Sequence, residues 1–240
     1  MAPLADPWLF FDKIYCISID KRLDRRTEAK KQFAAVGLRE RVEFELVTKH
    51  PDNQEKGIFQ SHMHCLHKGL QAGARHILIF EDDIFFQDFN AQSLLQANIF
   101  LQNLPAWNGF FLGGLSNKMT RTEEQSVVKI EYRCLAHAYA LNRPFAEALV
   151  QEPWNGIPFD NLLRSHCQDF FALYPMIAFQ GRASTDNQTI VLDKMRRFFG
   201  GLPFIQKTNE TFQRHKQLIV SLHLLFLAAL TLFIMISWAG

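Results

Sequence analysis

Three consecutive acids, Glu81, Asp82 and Asp83, interrupt an apolar run that reads ILIFEDDIFF from Ile77 to Phe86. Carboxylates beside a buried strand are costly unless a cation or hydrogen bonds compensate them, so the triplet marks a strand that ends at a site. A divalent metal is the partner it invites. Side chains alternate along an extended chain, which places Glu81 and Asp83 on one side and Asp82 on the other. An acid-x-acid pair of this kind suits Mg²⁺ or Mn²⁺, which take one or two carboxylates and fill their shell with water and phosphate oxygens. Such an ion stabilises a diphosphate leaving group. Taken alone, the triplet is also what a solvated turn after a strand looks like.

A second cluster, His62, His64, Cys65 and His67, suggests zinc. On a helix, however, His62 and His67 lie about 140° apart at 100° per residue, so they do not converge on one ion. Ser61 can be a helix cap or a ligand group. His137 and Tyr139 read more readily as packed strand residues than as catalytic ones.

The elements that must position these groups alternate between strand and helix. Ile14 to Ile19 is an apolar run of strand length, followed by Asp24 as a possible cap, an Ala- and Lys-rich helix and Gly37 as its stop. Val42 to Val47 alternates like a strand, Ser61 to Ala72 suits a helix, and Ile77 to Phe80 is the next buried strand. Ala91 to Leu104 is helical, with Pro105 beyond its end. Strands follow at Gly109 to Leu112, Val127 to Glu131 and Ala136 to Leu141. Asn142 caps a helix through Val150, and Asp160 to His166 is a shorter one. The pattern predicts an α/β fold with a largely parallel sheet, whose sites lie at the carboxyl ends of the strands.

With 240 residues, 48% of them hydrophobic and 21% charged, the chain can bury one sizeable core. Its net charge of +2 and the lack of a long basic stripe interleaved with aromatics give no reason to expect a nucleic-acid partner. Cys16, Cys65, Cys134 and Cys167 form no CxxC pair, so reduced, buried thiols are expected. The N-terminal stretch lacks the basic start and long apolar run of a secretory signal.

From Gln217 to Gly240 there is no Asp, Glu, Lys or Arg. Leu218 to Trp238 is long enough to span about 30 Å of hydrocarbon, which predicts one transmembrane helix. Lys207, Arg214 and Lys216 precede it, so the positive-inside tendency puts the preceding domain in the cytoplasm, with Trp238 at the far interface. Two sequons, at Asn187 and Asn209, are then chance occurrences.

Several motifs occur together and in order. Gly57-Ile-Phe-Gln-Ser61-His62 precedes the strand that ends Glu81-Asp82-Asp83. Upstream stands Ile14-Tyr-Cys-Ile-Ser-Ile-Asp20 with Arg22, Asp24, Arg25 and Arg26. Downstream stand His137-Ala-Tyr-Ala-Leu-Asn-Arg143, Pro158-Phe-Asp160 and Tyr174-Pro175 through Gln180. Over about residues 12 to 192 this resembles glycosyltransferase family 25, which includes lipooligosaccharide and procollagen galactosyltransferases. The resemblance implies a GT-A-like single domain and transfer of a hexose, such as galactose or glucose, from a nucleotide-sugar donor of the UDP-sugar type. It also implies inversion at the anomeric carbon and Mn²⁺ or Mg²⁺ at Glu81 and Asp83. The acceptor would be a hydroxyl of a glycan, a lipid-linked molecule or a protein.

The same resemblance places donor contacts at Asp20, Arg22 and Arg26 and keeps His62 in view through its Ser-His motif; Ser61 is a candidate donor ligand, and Asp82, pointing the other way, is a candidate contact to the nucleoside or neighbouring backbone. An exposed helix start accounts for Asp20, Arg22 and Arg26 equally well. Asp160 is the candidate catalytic base by its Pro-x-Asp position, or else the cap of the helix that follows; Asp169 is second in line. Two departures stand out: residues 48–56 are short where the family carries a longer loop, and Ile58 replaces a common Cys. The expected organisation is an N-terminal extension at 1–11, the transferase-like domain at 12–192, a basic connector at 193–216 and the membrane helix at 217–240. A tethered relative that binds without turnover, or a nucleotidyltransferase, are the other classes.

Overall fold

In the computed structural model, residues 6–181 and 201–239 are described. The Asn187 sequon, the end of the expected domain at 182–192 and the first part of the connector lie outside them. Six strands form the central sheet: β1 (Lys13–Ile19), β2 (Val42–Val47), β3 (His76–Glu81), β5 (Gly109–Arg121), β6 (Val127–Asn142) and β7 (Phe170–Leu173). Their order is β2-β1-β3-β6-β5-β7. β1 runs parallel to β2 and β3, and β5 runs parallel to β7. Only β6 runs against its neighbours. A two-stranded ribbon of β4 (Ile84–Phe86) and β8 (Ala178–Gln180) stands beside the sheet. The fold is therefore α/β with a largely parallel sheet, as the alternating pattern predicts.

Helices cover both faces, which is why β3 reads as a continuous apolar run rather than an alternating one. Leu78 and Phe80 of β3 pack with Phe33 of α1 (Leu23–Ala35) and Leu94 of α3 (Ala91–Asn103). Ile77 and Ile79 face the other way, onto Met63 and Leu66 of α2 (Gln54–Gln71) and Leu149 of α4 (Arg143–Leu149). All four strand residues are fully buried, and each contributes roughly 2 kcal/mol through the apolar surface it hides.

Several boundaries differ from the expected ones for identifiable reasons. Helix α2 starts at Gln54, because Asn53 caps it by accepting a hydrogen bond from the Lys56 amide at 3.0 Å. Ser61 therefore sits inside the helix, donates to the Gly57 carbonyl at 2.7 Å, and is not a cap. Arg22 occupies the cap position of α1, with Asp24 in its first turn. The two expected strands after Val127 are one strand, β6, carried past Leu135, whose φ of 74° is left-handed. Strand β5 likewise continues through Gly113, with register shifts against β6. A Cβ at Gly113 would lie 2.0 Å from the Ala178 carbonyl oxygen and 2.6 Å from His137 Nε2, so the strands close up there only around glycine. Asn142 does cap α4, accepting from the Phe145 amide at 2.9 Å.

The last element, α6 (Gly201–Ala239), has two unlike halves separated at His215, whose backbone (φ −114°, ψ 16°) is not helical. The first half docks on the body. Asn209 Oδ1 accepts from the Ser116 amide and its Nδ2 donates to the Ser116 carbonyl, each at 3.0 Å. Gln206 donates to the Ala178 carbonyl at 2.9 Å, and Glu210 accepts from the Met176 amide at 2.8 Å. The described part of the expected connector is thus helix held against β5 and β8. The second half has a mean hydropathy of 2.6 over its most apolar window, none of it buried, and by length and composition it can cross a membrane.

Candidate functional site

Strands β1, β2 and β3 end together, and a cleft of about 440 Å³ opens at their carboxyl ends. Ile19, Val47 and Glu81 form its sheet edge, α2 supplies Gly57, Ile58, Ser61 and His62, and Leu135 and Ala136 of β6 face them. The N-terminus of α5 (Phe159–Ser165) adds Pro158 and Asp160, and Leu202 of α6 closes one side. Cleft position follows from topology: parallel strands deliver their loops to one edge of the sheet.

Strand alternation carries Glu81 toward α2 and Asp82 toward α1. Glu81 Oε1 lies 3.5 Å from His62 Nε2, and its Oε2 accepts from Gln180 at 3.1 Å. Asp82 accepts from the Ser18 hydroxyl at 2.7 Å and meets Arg25 at 3.4 Å. Asp83 lies close enough to Glu81 for the two charges to repel. Strand β3 ends at Glu81, so the two-residue period stops, and the turn brings Asp83 Oδ2 within 3.8 Å of the same Arg25. Five of the six triplet oxygens thus have a partner nearby. The sixth, Asp83 Oδ1, is buried with none.

Charge is expensive here. Burial pushes the Glu81 carboxyl up to about 8, with Asp160 and Asp82 adding repulsion, although its side chain remains 31% exposed to the cleft. Burial, with repulsion from Glu81, raises Asp83 to about 7. Burial also raises Asp82, against the opposing pull of Ser18 and Arg25.

His62 is 1% exposed and stacks on Phe159, ring centroids 4.3 Å apart and planes 6° apart. Its Nδ1 lies 2.8 Å from the Tyr139 hydroxyl. Burial pushes the imidazole down to about 4, so it is neutral near pH 7. Tyr139 thus enters the site as the partner that orients His62. Among the described residues, no three or more His, Cys, Asp or Glu side chains are arranged to hold a metal ion, at the acid triplet or at the histidines of α2.

Asp160 lines the cleft but is heavily engaged. Tyr132 and the Ala136 amide both donate to its Oδ1, the latter at 3.0 Å, and the Leu135 amide donates to its Oδ2 at 3.1 Å. Those bonds fix the left-handed Leu135 in the cleft wall. The Asp160 carboxylate lies in the first turn of α5, while the cap position is Pro158. With three donors on about four acceptor positions, one lone pair remains for anything in the cleft. On the other side of the same wall, His137 Nδ1 lies 3.1 Å from the Leu135 carbonyl and its Nε2 3.2 Å from that of Ala178.

The remaining expected contacts split. Arg26 sits at the end of β1, donating to the Ser18 hydroxyl and the Ile19 carbonyl at 3.2 Å and to the Asp20 carbonyl at 3.1 Å. Asp20 is exposed and accepts from the Lys21 amide at 2.7 Å. Arg22 is paired bidentately with Asp24, at 3.0 and 2.9 Å. Neither Asp20, Arg22 nor Arg26 lines the cleft; Arg25 does. Among Arg22, Arg25 and Arg26, helical phase decides which one points inward, and α1 starting at Leu23 turns Arg25 to the acids. Asp169 lies away from this cleft, paired with Lys129 at 2.7 Å.

The donor set fits a hard divalent cation in part. Asp83 Oδ1 is a buried carboxylate oxygen without a partner, and Glu81, a second carboxylate lining the same cleft, has its oxygens beside His62 and Gln180.

No protein family matches the chain, and no curated protein does. Among solved structures it is similar to A197 from STIV, at 9% identity and a TM-score of 0.45 over 70% of this chain and 83% of that one. It is also similar to a glycosyltransferase involved in the glycosylation of the major capsid of PBCV-1, at 9% identity and a TM-score of 0.40 over 67% and 92%. Mannose-1-phosphate geranyltransferase from Thermus thermophilus is similar at 8% identity and a TM-score of 0.38 over 67% and 72%. At these identities and scores the likeness is one of general architecture and carries no functional weight.

Proposed function

We propose that the protein is a membrane-anchored, inverting glycosyltransferase that moves a hexose from a nucleotide-diphosphate sugar, of the UDP-sugar type, to an acceptor hydroxyl. The observation that carries this reading is Asp83 Oδ1, a carboxylate oxygen buried without a partner at the floor of an acid-lined cleft where three parallel strands end. The resemblance to family 25 and the sheet order, with β6 alone reversed, support the GT-A-like assignment.

Asp83 and Glu81 are the residues that would hold Mg²⁺ or Mn²⁺, whose chemistry is to take up charge on a departing diphosphate. Arg25 brings a fixed cation to the same place and holds Asp82 and Asp83 in register. His62, locked between Phe159 and Tyr139, orients Glu81. Asp160 shapes the opposite wall and has one lone pair left for an acceptor hydroxyl. Arg26 and Asp20 shape the end of β1, the donor side. The apolar half of α6 serves as a single membrane span, with the domain on the cytoplasmic side.

A panel of nucleotide sugars with Mn²⁺ or Mg²⁺, read by nucleoside diphosphate release with and without chelator, tests the reading. Release that disappears in Asp83→Ala is expected. Binding without turnover identifies a silent relative instead, and release of pyrophosphate identifies a nucleotidyltransferase.

A further inference from the structure

The docked half of α6 is amphipathic in the inverse sense. Helices on the surface of soluble domains bury an apolar stripe and show polar residues to water. Here the inward stripe carries Gln206, Asn209 and Glu210, each hydrogen-bonded to the body. The outward face carries Phe204 and Phe212, 58% and 38% exposed, with Thr208 and Thr211 between them. The two rings are about 80° apart around the axis and about 12 Å apart along it, so they share one face. The only acid in residues 201–216 is Glu210, which is buried, whereas Lys216 at the end of the half is exposed. The helix kinks at His215, and the apolar span begins three residues later at Leu218.

We propose that the outward face of Gly201–Arg214 rests in the headgroup layer of the bilayer, Phe204 and Phe212 inserted, with the kink at His215 turning the chain into the membrane. Aromatic rings, hydroxyls and an excess of positive charge, with Lys207 paired to Asp88 of the body and Lys216 exposed, are the composition of an interfacial helix, and the face is continuous with the span. Leu202 lines the cleft two residues before Phe204. Leu202 and Phe204 lie about 160° apart around the axis, so about the width of the helix, on the order of 10 Å, separates the cleft from the lipid surface, and the acceptor it serves is an amphiphile whose sugar or phosphate head stays at that surface. This rests on the reading of the second half as a membrane span and deepens the proposed function.

The test uses the full chain carrying Trp238→Phe, reconstituted at low protein density in vesicles of mixed zwitterionic and anionic phospholipid. Phe204→Trp and Phe212→Trp are introduced separately. The added tryptophan at each position is expected to be quenched several-fold more by lipid brominated near the headgroup than by aqueous iodide. Iodide quenching at Phe204→Trp, with or without lipid quenching at Phe212→Trp, overturns the proposal in favour of an upright helix. Quenching by neither reagent overturns it in favour of a protein partner, including a second copy. The readout involves no catalysis, so inactivity toward nucleotide sugars sinks the transferase reading alone, and extraction of the chain from vesicles by alkaline carbonate sinks the span.

Discussion

Asp83 and Asp160 line one cleft in opposite circumstances. Asp160 spreads three donors over its two oxygens and through them holds Leu135 in a left-handed conformation. Asp83 has one oxygen near Arg25 and one with no partner, in a place that raises its proton affinity. A carboxylate surrounded by donors belongs to the architecture, whereas one left unsatisfied at high cost is held ready for something that arrives later. In the proposed function this difference would give Asp83 the metal-holding chemistry and leave Asp160 chiefly a wall-forming part, although both occupy motif positions in the sequence.

The strongest attack on this contrast is Asp83→Ala. Nucleoside diphosphate release should fall roughly a hundredfold or more, while the urea midpoint stays level or rises, because the substitution deletes a buried carboxylate with one unpartnered oxygen and Arg25 keeps its pair with Asp82. Asp160→Ala should do the reverse. It strands the Tyr132 hydroxyl and the Leu135 and Ala136 amides, and should cost about 3 kcal/mol or more in urea unfolding. Lost turnover with an unchanged midpoint would reverse the contrast and make Asp160 the base.

Glu210 is an intermediate case, buried with a single donor from Met176 and pushed by burial from 4.5 up to about 7. A folded state that favours the protonated acid gives a contribution fully present below pH 4.5 and lost as pH rises through about 7. The loss is about 3 kcal/mol across that window. Glu210→Gln keeps the acceptor for Met176 and should flatten the pH dependence of the melting temperature. The smallest effect belongs to Arg22→Ala, which removes the bidentate pair with Asp24 outside the cleft and should lower the melting temperature and donor affinity less than Arg25→Ala, which acts at the acids.

The framework was legible where it rests on local pattern. The apolar runs of β1 and β3, the alternation of β2 and the Asn142 cap follow from side-chain periodicity and from one hydrogen bond near in sequence. What escaped depends on distant partners. Nothing in residues 127–141 announces that a carboxylate from α5 will hold Leu135 in place and let β6 continue. The acids were legible by type, but the contact of Asp83 with Arg25 was not, because alternation ends where the strand does. Arg25 escaped because its two arginine neighbours are chemically identical to it and only helix phase separates them. The docking of α6 escaped for a related reason: Gln206, Asn209 and Glu210 read as solvated residues until the body supplies their partners.

The lock between Asn209 and Ser116 also bears on how the orientation of this chain can be mapped. Asn209 begins a sequon, yet both ends of its amide are already bonded to backbone. Oligosaccharide transfer there would require an undocked helix, so a modified Asn209 would record a chain caught before folding, and a bare one would say nothing about compartment.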